Sequence, residues 1–178
     1  MLDLGDHVLR ALRRDDAAAW YAYLSDPEVT RLTSYDIRSV DDVAKMIDRY
    51  IVGYAQKGSN RWALARKGSN VLVGTCGFNW WDVDHSIAEL GYDLARGCWG
   101  KGLMTRAVHA AACWGFDSLE VNRIQATVMV GNIASARVLE KCGFKKEGTL
   151  REYKICHGHP RDFWIFSQLR SLSEPSAE

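Results

Sequence analysis

Residues 97–102 contain three glycines and one lysine, and they lie between two segments of different periodicity. Residues 89–94 alternate like a strand, and from Leu103 the apolar residues recur at the spacing of one helical face. Glycines let backbone N–H groups approach a ligand closely, and the unpaired N–H groups at a helix N-terminus attract anions. We therefore expect this turn to bind a phosphate group.

Two common phosphate-binding motifs do not fit this turn. The dinucleotide fingerprint requires a glycine where Thr105 stands, and the nucleoside triphosphate loop requires Ser or Thr where Gly102 stands. Instead, the sequence Trp-Gly-Lys-Gly-Leu-Met-Thr from Trp99 to Thr105 resembles the pyrophosphate loop of the GNAT superfamily of N-acetyltransferases. It is similar in particular to the branch of ribosomal-protein-alanine N-terminal acetyltransferases (RimJ/RimL-like). Trp99 and Met104, the two end positions of the loop, depart from the general pattern.

A second motif supports the same resemblance. Asn132 precedes a predicted helix that contains Ser135 and Arg137, and Gly143-Phe144 follows that helix. Taken singly, the asparagine is typical of an N-cap and the glycine of a helix end. In the superfamily, the asparagine of this last helix contacts the cofactor arm. Both motifs occur where the resemblance requires them, which favours a cofactor site over two unrelated helix ends.

The resemblance implies acetyl-coenzyme A (acetyl-CoA) as co-substrate, with no metal. The backbone N–H of Asp93 or Leu94 would then donate to the thioester carbonyl as the oxyanion donor. The cofactor-binding residues that the resemblance implies are Asp93, Leu94, Ala95, Gly100, Lys101, Gly102, Leu103, Met104, Thr105, Asn132 and Arg137.

Acetyl transfer to an amine requires a neutral amine, a stabilised oxyanion and a proton for the leaving thiolate. The superfamily has a glutamate ten residues before its loop, which corresponds to Glu89 here. Glu89 would accept the amine proton directly or through a water, or would only position the substrate. Leu139 stands where many members have a tyrosine acid, and the branch suggests Ser135 instead, which either protonates the thiolate or only hydrogen-bonds the cofactor. Tyr153 is a further alternative acid.

The predicted acceptor is a primary amine, and more specifically a protein N-terminal α-amine of the ribosomal-protein type. An α-amine has a reference pKa of about 7.7 to 8.0, against about 10.4 for lysine, so it needs less help to lose its proton. Polyamines, aminoglycosides and amino-acid-like toxins are alternative acceptors, and a non-catalytic CoA-binding module is the alternative from another class. The residues predicted to bind the acceptor are Arg31, Tyr35, Trp80 and Trp81. One of the two tryptophans should lie in the core, because adjacent strand residues face opposite ways.

Charge and cysteine content restrict the partners and the compartment. With 23 basic and 22 acidic residues the formal net charge is +1, so no overall field would attract nucleic acid or an anionic membrane. Five cysteines without a Cys-x-x-Cys pair favour reduced thiols in the cytoplasm, and no apolar segment is long enough to span a bilayer. Cys156, His157 and His159 are too few for a zinc site by themselves. The family resemblance also allows a homodimer.

The rest of the pattern predicts one α/β domain over residues 1–170 and a polar tail at 171–178. Strands and helices are expected in the order β α α β β β α β α β β, which gives a mixed, mostly antiparallel seven-stranded sheet with helices on both faces. The resemblance implies that the fourth and fifth strands splay apart to admit the pantetheine arm of the cofactor. Residues 28–38 are predicted to be irregular. The predicted strands are residues 7–13, 61–66, 71–80, 89–94, 123–130, 144–156 and 162–169.

Overall fold

Eight strands form one sheet in the order β1-β2-β3-β4-β5-β6-β8-β7 in a computed structural model that describes residues 1–56 and 58–170. The strands are β1 (Leu2–Asp3), β2 (His7–Ala11), β3 (Asn60–Arg66), β4 (Leu72–Asp82), β5 (Ile87–Leu94), β6 (Arg123–Met129), β7 (Lys145–Cys156) and β8 (His159–Leu169). The helices are α1 (Ala17–Leu24), α2 (Pro27–Thr30), α3 (Val40–Ala55), α4 (Leu103–Ser118) and α5 (Ile133–Lys141).

The connections along the chain explain the strand directions. Neighbouring strands joined by short turns pair antiparallel, as β3 with β4 and β7 with β8 do. By contrast, β5 and β6 pair parallel, because α4 crosses over between them and returns the chain to the same end of the sheet. The mixed, mostly antiparallel sheet predicted from the sequence is confirmed.

Two hydrophobic cores lie on opposite faces of this sheet. Leu64 belongs to the core under α4 and α5, whereas its neighbour Ala63 belongs to the core under α1 and α3. Successive strand residues point to opposite faces, so the two cores are separated by the sheet. Val108 of α4 and Ile47 of α3 are fully buried, one in each core. The prediction of helices on both faces is therefore confirmed.

Local signals set the helix ends near the site. Ser39 caps α3 by accepting a hydrogen bond from the N–H of Asp42 at 3.2 Å. Gly102 precedes α4 with a φ of 69°, and Gly143 follows α5 with a φ of 84°, both in the left-handed region that favours glycine. The ends at Gly102 and Gly143 agree with the helix boundaries given above, and Ser39 followed by Asp42 three residues later is the sequence signal for the start of α3.

Several predicted boundaries differ from the structure. All seven predicted strands are present, and an eighth, Leu2–Asp3, forms because these residues pair with Val8 and Leu9. The first predicted strand ends at Ala11 instead of Arg13, since its pairing with β3 ends there. The segment predicted to be irregular begins with α2, in which Pro27 occupies the first turn and Asp26 is the N-cap.

At the last hairpin the predicted turn is too long. His159 and Pro160 already pair with β7, so the turn consists of His157 and Gly158. Lys57-Gly58 in the sequence also predicts the end of the helix that follows Ser39, but α3 ends two residues before Lys57, at Ala55. Lys57 itself lies outside the described residues, as does the tail predicted at 171–178. No helix in the two described ranges is long and apolar enough to cross a membrane.

Candidate active site

A gap between β5 and β6 lies in the middle of the sheet. The two strands pair only over residues 87–89 and 123–125. Beyond this point, residues 90–94 pair with β4 alone and residues 126–129 with β8 alone, as far as the described residues extend. The inner edges of both strands therefore lack a strand partner, and such edges can hydrogen-bond an extended ligand. β5 and β6 correspond to the fourth and fifth predicted strands, so the splayed strands that the family resemblance implies are present.

Backbone alternation decides which amide of β5 faces this gap. The N–H of Ala95 donates to the carbonyl of Val73 on β4 at 2.8 Å. Because successive N–H groups of an extended strand point to opposite edges, the N–H of Leu94 points to the gap and that of Asp93 to β4. Of the two oxyanion donors proposed from the sequence, the geometry favours Leu94. The N–H of Ala95 is already engaged.

The glycine turn lies at the end of this gap, between β5 and α4. Gly100 has a φ of 74° and Gly102 a φ of 69°, so the loop uses a conformation that other residues adopt only with strain. The first bond of the α4 ladder runs from the N–H of Arg106 to the carbonyl of Gly102 at 3.1 Å. Residues 103–105 therefore precede the ladder, and their N–H groups are oriented as helix N-terminal donors toward an anion.

Side chains of the turn differ in what they can offer a ligand. Leu103 and Met104 are buried in the core beneath α4, so only their backbone can serve a cofactor. Thr105 is partly buried. The ammonium of Lys101 donates to the carbonyl of Gly97 at 2.8 Å, which turns this charge back onto its own loop. Trp99 donates its indole N–H to the carbonyl of Leu94 at 2.8 Å and so ties the turn to the open edge of β5.

The start of α5 lies on the other side of the gap. The side-chain oxygen of Asn132 accepts from the N–H of Ser135 at 3.1 Å, as an N-cap does, and its amide nitrogen donates to the carbonyl of Leu32 at 3.4 Å. Asn132 thus connects α5 to the segment that follows α2. Arg137 is exposed on α5.

Ser135 is joined to β5 by Tyr92, a residue that sequence reasoning did not select. The two hydroxyl oxygens lie 2.8 Å apart, and Tyr92 also donates to the carbonyl of Ser135 at 3.0 Å. Burial raises the pKa of Tyr92, so the phenol remains protonated at physiological pH. Tyr92 was missed because it alternates with Leu90 and Leu94 on the apolar face of the strand, where the pattern predicts only packing. Leu139, in the position of the usual tyrosine, is fully buried.

Glu89 lies where β5 and β6 part. It pairs with Gln125 in the last step of the parallel ladder and with Trp80 on β4, and only 4 % of its surface is exposed. Its carboxylate accepts a hydrogen bond from the amide nitrogen of Asn79 at 3.1 Å. Tyr153, the alternative acid, is partly exposed; its pKa is raised by partial burial and by the charge of Glu89.

A buried ion pair lies beside Glu89 on the same face of the sheet. One carboxylate oxygen of Asp93 accepts hydrogen bonds at 2.7 Å from the guanidinium of Arg61 and from the hydroxyls of Tyr35 and Thr75. The hydroxyl of Tyr23 donates to the other oxygen. This network is absent from the sequence prediction, which placed only the backbone of Asp93 in the site. The one signal in the sequence that could have indicated this network was that Glu89 and Asp93 lie on the same face of a strand.

Tyr35 was predicted to bind the acceptor, and its hydroxyl belongs to this network. Burial raises the pKa of both Tyr23 and Tyr35 well above the ordinary value, and the charge of Asp93 raises each further. Both phenols are therefore hydrogen-bond donors to the carboxylate and not bases. Tyr35 also lines a surface cavity of about 520 Å³.

This cavity adjoins the segment between α1 and α3. Arg31 also lines it, with its Nε 3.5 Å from a carboxylate oxygen of Glu28, and so does His157 of the last hairpin. Trp80 and Trp81 lie outside the cavity lining. Trp81 is partly buried and packs against the larger core, whereas Trp80 is 39 % exposed on the face of Glu89, so the two side chains face opposite sides of the sheet.

The last hairpin does not assemble a metal site within the described residues, where no group of three or more His, Cys, Asp or Glu side chains is suitably placed. Cys156 is buried, and the ring of His157 lies 3.2 Å from the carbonyl of Thr30. His157 therefore contacts the segment that carries Arg31 and Tyr35.

Comparison with known proteins gives one family. A model of the acetyltransferase (GNAT) domain matches residues 7–145. An uncharacterized N-acetyltransferase, p20, of Bacillus licheniformis is 40 % identical over 168 residues, which cover 92 % of each chain.

Solved structures share the fold. Ribosomal-protein-S5-alanine acetyltransferase from Vibrio fischeri has a TM-score of 0.85 at 21 % identity over 98 % of each chain. RimL, a ribosomal L7/L12 α-N-protein acetyltransferase solved with coenzyme A, has a TM-score of 0.82 at 19 % identity, covering 93 % of this chain and 95 % of that one.

Proposed function

Because this chain belongs to the acetyltransferase (GNAT) family, we propose that it moves the acetyl group of acetyl-CoA directly to a protein N-terminal α-amine. The observation that carries this proposal is the gap between β5 and β6, which leads into the glycine turn before α4. An extended thioester and a diphosphate are the two ligand parts that these neighbouring features fit.

Acetyl-CoA would lie in the gap with its diphosphate on the turn. The N–H groups of residues 100–105 would bind the phosphates, and the edge of β5 would pair with the pantetheine arm. The N–H of Leu94, at that open edge, would donate to the thioester oxygen as it becomes an oxyanion. Asn132 and Arg137 would contact the arm from α5, Asn132 after giving up its bond to Leu32.

Glu89 would be the general base. Its carboxylate is buried at the point where the thioester would emerge onto the face of α1 and α3, and it would take the ammonium proton directly or through one water. The neutral amine would then attack the carbonyl carbon, and the C–S bond would break in the resulting tetrahedral intermediate. An α-amine, with a reference pKa of about 7.7 to 8.0, suits a carboxylate base better than lysine does.

Ser135 would protonate the departing thiolate. Its hydroxyl is held by Tyr92 beside the gap, on the face opposite Glu89, so the two proton transfers would occur on opposite sides of the thioester. Tyr92, which burial keeps protonated, would hold the hydroxyl of Ser135 in place, and Ser135 would regain through water the second proton that the attacked nitrogen releases.

The choice of acceptor is supported by the structural neighbours and by the cavity. The two neighbours named above act, by their names, on ribosomal proteins. The cavity lined by Arg31 and Tyr35 is open on the surface and would admit the first residues of a chain. A peptide whose first residues lie in this cavity would direct its N-terminal amine toward Glu89.

The test is thiol release from acetyl-CoA in the presence of two acceptor panels. N-terminal peptides of ribosomal proteins form one panel; spermidine, an aminoglycoside and free amino acids form the other. We expect kcat/KM to be at least about 100-fold higher for the best peptide. Preference for a small amine would overturn the acceptor assignment, and binding of acetyl-CoA without release by any amine would overturn the enzyme assignment.

A further inference from the structure

The carboxylate of Glu89 is held by one side chain from the neighbouring strand. The amide nitrogen of Asn79 on β4 donates to one oxygen of Glu89 at 3.1 Å. A shift in register between Phe78 and Trp80 brings Asn79 onto the face of Glu89. This contact leaves the second carboxylate oxygen to face an incoming amine or water.

The orientation of the Asn79 amide is determined by the hydrogen bond that its side-chain oxygen accepts. The side-chain oxygen of Asn79 accepts from the guanidinium of Arg61 at 2.9 Å. A guanidinium only donates, so the oxygen must face Arg61, and the amide nitrogen must face Glu89. The hydroxyl of Tyr50 makes a longer contact, at 3.5 Å, with the same amide oxygen.

Arg61 is in turn immobilised. Its guanidinium bonds to Asp93 at 2.7 Å, to Thr75 at 2.9 Å and to Tyr35 at 3.0 Å, and 3 % of its side chain is exposed. Four polar partners, counting Asn79, fix one orientation of the planar group.

Gly91 provides the space for this contact. A Cβ at Gly91 would lie 2.8 Å from the guanidinium nitrogen of Arg61 and 2.8 Å from both polar atoms of the Asn79 amide. Because real Cβ atoms do not approach other atoms so closely, any other residue at this position would displace Asn79 or Arg61 from the contact.

We propose that Asn79 is a positioning residue that orients the carboxylate of Glu89 for the reaction, with the Arg61–Asp93 pair as its support. The inference rests on the proposed role of Glu89 as the base. A hydrogen bond from an amide that is itself held in place restricts the rotation of the carboxylate and so fixes the direction of its reacting oxygen. Since Tyr35 also lines the acceptor cavity, the same network connects the acceptor side to the base.

The test compares Asn79→Leu and Asn79→Asp with Tyr50→Phe. The leucine variant removes the donor. The aspartate variant keeps the side-chain shape but places a second carboxylate beside Glu89. The matched control, Tyr50→Phe, removes a partner of Asn79 and leaves its bond to Glu89. Isothermal titration with coenzyme A shows that each variant is folded, and kcat and KM are measured from pH 5.5 to 9.5.

We expect Asn79→Leu to lower kcat about 10- to 100-fold while the KM for acetyl-CoA stays within about twofold. The acid limb of the pH–kcat profile should move to higher pH in Asn79→Asp, because adjacent carboxylates disfavour each other's ionisation. Tyr50→Phe should resemble the wild type. A wild-type kcat and pH profile in both Asn79 variants would overturn the inference.

A double-mutant cycle separates this inference from the proposed function. If Asn79 acts through Glu89, adding Asn79→Leu to Glu89→Gln should change kcat by less than about twofold. An additive loss would show that Asn79 acts independently and would overturn the inference alone. Full activity in Glu89→Gln would overturn the role of Glu89 as base, and with it the inference.

Discussion

The hydroxyl oxygens of Tyr92 and Ser135 lie 2.8 Å apart and join β5 to the first turn of α5. Because Tyr92 also donates to the carbonyl of Ser135, the phenol holds both the side chain and the backbone of the proposed acid. We predict that Ser135→Ala lowers kcat about 10²-fold, since a missing general acid costs this much, and that Tyr92→Phe costs about tenfold. Steady-state thiol release measures both. Ser118→Ala, at the exposed end of α4, is the control, and a kcat within twofold of wild type in Ser135→Ala would contradict the role.

Backbone strain at positive φ, and not a steric clash, should determine how costly an alanine substitution is in the glycine turn. A Cβ at Gly100, Gly102 or Gly97 would meet no atom within 4 Å, but only Gly100 and Gly102 have a positive φ. We predict that alanine at Gly100 or Gly102 costs about 1 to 2 kcal/mol of folding free energy or weakens acetyl-CoA binding about tenfold. Urea denaturation and calorimetric titration measure the two effects. Gly97→Ala should change neither; an equal effect there would refute the strain argument.

Removing one charge of the Arg61–Asp93 pair should lower the free energy of unfolding much more than removing one charge of a surface pair. The side chains of Arg61 and Asp93 are 3 % and 2 % exposed. Asp93→Asn therefore leaves the guanidinium charge buried without its carboxylate. We predict a loss of about 3 to 5 kcal/mol in the free energy of unfolding. Asp36→Asn breaks an exposed pair with Arg38 and should leave the free energy of unfolding unchanged within the error of the measurement. Urea denaturation compares the two variants, and similar small losses would contradict the burial of the pair.

Thiol reactivity tests the placement of the cysteines. Burial raises the pKa of Cys76 to about 12 and that of Cys142 to about 11, so both have little reactive thiolate at pH 8. Of the five free cysteines, Cys113 is exposed and the other four are buried. We predict that a disulfide reagent labels one equivalent quickly in the native protein and the other four only in denaturant. The Cys113→Ser variant should lose the fast phase; its persistence would place another thiol at the surface.

Elements with local causes were predictable from the sequence. The helix start after Gly102, the N-caps at Ser39 and Asn132 and the strand before the turn each depend on residues within a few positions of one another. For the same reason the anion-binding character of the turn was predictable, because a glycine-rich turn before a helix has this property in any fold. Short pairings such as Leu2–Asp3 were missed, since two residues carry no measurable periodicity.

The network around the proposed base was decided by the tertiary structure. Asp93 meets a residue 32 positions away in Arg61 and one 70 positions away in Tyr23, and Tyr92 meets Ser135 across 43 positions. No local pattern encodes such contacts, because they depend on strand register, on the shift that turns Asn79 toward Glu89, and on the helix that packs over each face. The amino-acid sequence alone thus determined the glycine turn and the helix start that suit a phosphate, because backbone turns and helix ends are local. The contacts around Glu89 and the pairing of Tyr92 with Ser135 followed only from the packing of distant segments.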